Sequence, residues 1–298
     1  QLDAKLRELN ASVTTAGGSF KSLQAETRAT FTPLLLQVTA VVAALGTIGA
    51  ALSSVIDAAK GYRNAIAQVG TVTEVSKGEL DALGGRARAL AQELGIGLPD
   101  ALKSLYEIIR SGVPAENAIE VLRVGALAAK AAFVETGVGA KAAAVLIDAF
   151  GLEVSQLSGA LDIVTRSAQT GGPTLTEFAE TAGALGNVAR ATGVGFQEVI
   201  AVLNVMTDAS NDAAGSASAL TKILVQLNRP ATRLALRQLG LDGLSLVDTL
   251  RAINREVPGG VNAFLDLGIA NTKAASAIAA VGNHADNLPS ALNNAAPA

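Results

Sequence analysis

The amino-acid sequence predicts an all-α protein, an irregular array of about eight to ten short helices preceded by a long hydrophobic helix. Three observations predict it. Ala, Leu and Ile outweigh the aromatic and Thr-rich runs that strands favour, with no Trp, two Tyr and seven Phe in 298 residues. From residue 95 onward, apolar residues recur at helical spacing, and Gly, Pro and capping residues divide them into short segments. One segment, residues 31–56, carries no charge at all. Half of the residues are hydrophobic, so a core can be buried. Small Ala and Gly must do much of its packing. They let helices approach closely, but each buries little area. Many modest contacts are therefore expected in place of one dense aromatic core.

Residues 1–30 read as a polar helical lead-in. Leu2, Leu6, Leu9 and Val13 have helical spacing, and Gly17-Gly18 break the helix. Residues 31–56 read as one uncharged hydrophobic helix. A helix of that length spans roughly 36–39 Å, enough for a bilayer core. Leu34, Leu35, Val41, Val42, Leu45, Ile48 and Leu52 supply apolar contact, and Gly46 and Gly49 allow backbones to approach. Arg28 precedes the run; Lys60 and Arg63 follow it. Two readings stay open: a segment that enters a membrane at some stage, and a helix packed in an oligomer. Residues 57–96 read as a helical connector with Gly70, Gly78 and Gly84-Gly85 as breakers.

Residues 97–285 carry the regular pattern. Leu98, Ala101, Leu102, Leu105, Ile108 and Ile109 form one helix face, which Ser111-Gly112 end and Pro114 follows. The next helix holds Ala118, Val121, Leu122, Gly125 and Ala129. A third is expected from near Gly139 to Phe150, and a fourth over Leu157, Leu161, Val164 and Ala168, stopped by Gly171-Gly172-Pro173. Thr174 and Glu177 fit a capping box opening a helix to Thr192. Phe196 to Met206 mark another, Asp208 to Asp212 a polar turn, and Ala217 to Leu227 a further helix. Pro230 opens one that ends at Leu239-Gly240. Two or three more are expected over 245–284, and residues 286–298 form a frayed tail.

Chemistry is thin. Without Cys, disulfides and thiolate metal sites are excluded. The one histidine, His284, reads as a solvated residue in a polar segment. Gly17-Gly18-Ser19-Phe20-Lys21-Ser22 lacks the Gly before Lys that a phosphate loop needs. Glu107, Glu135, Asp148, Asp162, Glu177 and Glu180 are the carboxylates from which a glycosidase pair would have to come, but the sequence gives no pair a special environment. No catalytic residue, no metal and no cofactor is expected. The net charge of −3 lacks the broad basic excess of a nucleic-acid binder. Lys222, Arg229, Arg233 and Arg237 are candidates for contact with an acidic tube wall or with passing DNA. The three arginines form one stripe if a helix runs through Pro230, and only Arg233 and Arg237 align if Pro230 opens a new one.

Over residues 95–280 the sequence resembles the core domain of phage tail tape-measure proteins. The resemblance rests on DALKSLYEIIRSGV (100–113), IDAFGL (147–152), the long stretch at 160–209 and SASALTKILVQLNRPATRLALRQLGLD (216–242). Residues 262–281 fit more loosely. The specificity lies in the order and spacing of the segments, not in a catalytic motif. The resemblance implies a protein of the virion that lies in the tail-tube lumen or tail tip, determines tail length during assembly and leaves ahead of DNA during ejection. Implied partners are further copies about the tail axis, tail-tube, distal tail and tail-tip or baseplate proteins, tail assembly chaperones, the host membrane during ejection, and DNA only in passing. A cell-wall-degrading tail hydrolase and a stand-alone membrane pore former are the alternatives. No enzyme activity is expected.

Overall fold

The computed structural model describes residue 11, residues 60–241 and residues 243–256. The uncharged run, with Leu34, Leu35, Val41, Val42, Leu45, Gly46, Ile48, Gly49 and Leu52, lies outside the described residues, as does His284. The long helix expected ahead of the array thus falls outside the described residues. The chain divides into two compact units, Gln1–Asn64 and Ala65–Ala298. Residues 60–71 are helical (α1). The second unit continues with α2 (Lys77–Leu94), α3 (Leu98–Arg110), α4 (Ala115–Ala131), α5 (Thr136–Asp148) and α6 (Leu157–Ser167). Then come α7 (Leu175–Thr192), α8 (Phe196–Ser210), α9 (Ala213–Leu227), α10 (Pro230–Gln238) and α11 (Leu246–Glu256). No strand occurs among the described residues. The predicted all-α array is the observed one.

The local reasons are those of helix chemistry. Gly78, Gly84 and Gly85, expected as breakers, lie inside α2. A capping box opens that helix: the Glu79 amide donates to Ser76 Oγ (3.4 Å) and the Ser76 amide to Glu79 Oε2 (2.8 Å). Leu83, Ala87, Leu90 and Ala91 then bury one face, which outweighs the intrinsic cost of glycine. The third expected helix starts at Thr136, one turn before Gly139. Asp208 falls in the last turn of α8, not in a loop; Asn211, in the left-handed region, ends the helix and Asp212 caps α9.

Helices pack on their next-but-one neighbours. α3, α5, α7 and α9 form one row, each on the one before; α2, α4 and α6 form a second. The tightest crossing joins the rows where α4 meets α5. A Cβ on Gly125 would stand 2.8 Å from the Gly139 carbonyl oxygen, and one on Gly139 would meet the Gly125 carbonyl oxygen. The two backbones touch there because neither residue has a side chain. Ala118, Ala126, Ala129, Ala140 and Ala143, all buried, line these two helices. This is the small-residue packing that the composition predicts. It is not the whole core, because Phe150, Phe178 and Phe196 gather at the end of α5, on α7 and at the start of α8. Phe150 meets Phe196 edge-on at 5.2 Å and Phe178 at 6.2 Å. Gly186 makes room, as a Cβ there would lie 2.7 Å from the Phe150 ring.

Candidate functional site

The row of α3, α5 and α7 leaves an open groove of about 1050 Å³ along its surface. Small residues on these helices and their turns, Gly97, Gly137, Ala144 and Gly183 among them, keep its walls low. Its polar lining mixes signs. Asp100, Glu107, Glu135, Asp148 and Glu180 alternate with Lys103, Arg110, Lys130 and Lys141. Four of the six carboxylates singled out in the sequence thus share one surface, while Asp162 and Glu177 do not line it. Glu177 is occupied as the capping residue of α7: the Thr174 amide donates to its Oε2 at 2.8 Å, and its own amide donates to Thr174 Oγ1 at 3.2 Å. Glu107 accepts from Arg110 Nη2 at 2.6 Å, and this hydrogen bond raises the pKa of the guanidinium. Both groups are exposed, so water and salt screen the pair. Among the described residues no three His, Cys, Asp or Glu side chains come together as metal ligands.

Other polar contacts serve to join elements. Arg123 of α4 donates to both carboxylate oxygens of Glu93 on α2, and the Lys130 ammonium reaches the Leu94 carbonyl. Hydrogen bonding to Arg123 lowers the pKa of Glu93. Arg190 of α7 lies over Gly151 and donates to the Asp148 carbonyl at 3.4 Å, so a cation meets the carbonyl end of α5. The Leu246 amide, at the start of α11, donates to Glu198 of α8 at 3.3 Å.

The four basic residues picked from the sequence lie on α9, on α10 and between them, and all are exposed. α9 ends at Leu227 and α10 starts at Pro230, so the arginines do not form one helical stripe; Arg233 and Arg237 share α10. Sequence reasoning missed the apolar residues beside them. Val225, Leu234, Leu239 and Leu244 stand exposed in the same stretch. It also missed Phe133, which is 96% exposed at a backbone φ of 56°. The first signal was legible: PATRLALRQ has only one narrow face to bury, so some of its leucines had to point outward. The second was not, because nothing in the sequence sets the hand of that turn.

No helix among the described residues is long and apolar enough to cross a membrane. No curated protein and no solved structure matches the chain. The family described as phage-related minor tail protein matches residues 84–282, from the middle of α2 to beyond α11. A helical array of short, small-residue contacts with that match over most of its length belongs to the phage-related minor tail proteins, and its role is structural, in a phage tail.

Proposed function

We propose that this chain is part of a tail tape-measure protein, acting in the tube lumen or at the tail tip, setting tail length and leaving ahead of DNA. The observation that carries this reading is the family match over 84–282, together with the order of segments at 100–113, 147–152, 160–209 and 216–242. In this reading the second unit is the docking body, because a compact array covers little axial distance. Ruler length belongs to extended helix elsewhere in the same gene product, at about 1.5 Å per residue. Further copies about the axis, tail-tube and tip proteins and assembly chaperones are its partners. The chain works by packing, not by catalysis.

The test is tail length. In-frame deletions in extended helical parts of the gene, leaving residues 65–256 intact, should shorten tails by about 1.5 Å per residue removed. Electron micrographs of the particles measure it, and unchanged tails would sink the ruler role. The uncharged run is assigned to the host membrane during ejection. A charge at the centre of a spanning helix costs about 2.5–3.5 kcal/mol on insertion scales. Gly46→Arg should therefore leave tail length normal and reduce potassium efflux from infected cells; normal efflux leaves the packed-helix alternative.

A further inference from the structure

Charge is segregated along the second unit. Residues 65–212 carry 17 acidic and 10 basic residues, a net charge of −7. Residues 213–241 carry four basic residues and no acidic one. The basic stretch folds as α9 and α10, where Lys222, Arg229 and Arg233 are exposed and make no ion pair among the described residues. Aliphatic side chains stand exposed among them: Leu234 is 56% exposed, Leu239 49% and Val225 45%. Six large hydrophobic side chains are exposed among the described residues, and four of them fall between Val225 and Leu244. Single exposed leucines are ordinary; four exposed aliphatic side chains within twenty residues, interleaved in sequence with Arg229, Arg233 and Arg237, are more than that. α10 buries only Thr232 and Leu236, so most of this helix is left open.

The chemistry of the surface selects its partner. No aromatic residue occurs from 197 to 256, so base stacking is unavailable, and exposed leucines gain nothing against phosphates. A protein surface with apolar ground and a carboxylate rim fits both halves of the patch. The chain carries such carboxylates itself. Asp162, Glu180, Asp208 and Asp212 are exposed in the segment from α6 to the start of α9, which holds only two basic residues, Arg166 and Arg190. Arg190 is already engaged at the end of α5.

We infer that the basic, aliphatic face of α9 and α10 docks on the acidic body of a second copy of this chain, head to tail. Such a contact uses two different surfaces, so each added copy leaves one of each open, and the assembly closes as a ring or grows as a stack. The inference rests on the charge distribution and not on the ruler role. Its failure in solution leaves tail length as an independent test of that role.

The experiment is sedimentation velocity of the 298-residue chain at low and high salt. Association is expected at low salt and should weaken toward 1 M, where the screening length falls to about 3 Å. Arg229→Glu with Arg233→Glu should weaken it at least about tenfold. Both positions lie at the N-terminus of α10, where a carboxylate suits the helix dipole, so the fold is kept, which circular dichroism checks. Asp162→Lys with Glu180→Lys should weaken it as well, and mixing the two variants should restore association. A wild-type chain that stays monomeric at low salt overturns the inference. So does self-association that survives the arginine reversals, or a mixture that stays monomeric. Loss of duplex-DNA binding in the arginine variant, with no self-association in the wild type, reassigns the face to nucleic acid.

Discussion

Phe133 shows what one residue can say about a surface. α4 ends in a Schellman turn: the Val134 amide donates to the Ala129 carbonyl at 2.9 Å and the Phe133 amide to Lys130 at 3.2 Å. Gly95, Gly112, Gly193 and Gly240 take the corresponding place in the other turns of this kind, all with positive φ. Among the described residues, only at α4 is the place held by a bulky residue. The left-handed region costs an L-residue roughly 1–2 kcal/mol, and a ring 96% exposed recovers almost none of it. Phe133→Gly is therefore expected to raise stability by about 1 kcal/mol, read from the urea midpoint. An unchanged or lower midpoint would show that the ring is held by contacts within the chain. At the same scale, Gly125 and Gly139 matter for the opposite reason. There the missing side chain is the contact.

At the scale of elements, ends decide more than interiors. α2 and α7 open with the same device, Ser76 with Glu79 and Thr174 with Glu177. Glu79 accepts from the Ser76 hydroxyl and amide, and these bonds hold its pKa below the ordinary value of 4.5. A carboxylate with a lowered folded pKa contributes stability above its unfolded value and loses it as pH falls through the folded one. The first amides of α2 should thus lose hydrogen-exchange protection below pH 4.5, before the middle of the helix does. Protection that falls evenly along α2 would contradict this. For α7, Thr174→Ala removes the hydroxyl that accepts from the Glu177 amide and donates to the Glu177 carboxylate, and should cost about 1 kcal/mol by chemical denaturation. Glu198 adds a cap that no local pattern reveals, since it serves α11 from 48 residues away.

For the second unit as a whole, the rows built from next-but-one contacts make stability regional. Each helix leans on a few neighbours, and the α4–α5 crossing ties the two rows together. Gly139→Ala places a methyl group against the Gly125 carbonyl, and backbone cannot step aside as a flexible side chain would. The expected cost is about 1–3 kcal/mol, with lost exchange protection concentrated in α4 and α5 and little change in α9. Loss spread evenly to α9 would mean that the unit unfolds as one body and that the rows carry no regional independence.

The sequence by itself determined the helical class, most element ends from α3 to α10, and the capping box at Thr174. These depend on residues within a turn of one another, and helical spacing, Gly, Pro and hydroxyl caps act at that range. The second capping box, at Ser76, was equally local, and the glycines behind it hid it. The absence of aromatic residues from 197 to 256 and the basic stretch at 213–241 were also legible in the letters alone. Tertiary structure alone decided three things. It set Gly125 against Gly139, it gathered Phe150, Phe178 and Phe196 from three elements, and it brought Glu107, Glu135, Asp148 and Glu180 to one groove. The physical reason is common to them. An amphipathic helix specifies which of its faces is buried, but many neighbours can cover an Ala-rich face nearly equally well. Which helix does so is settled by how closely two backbones can approach, and that is a property of the pair.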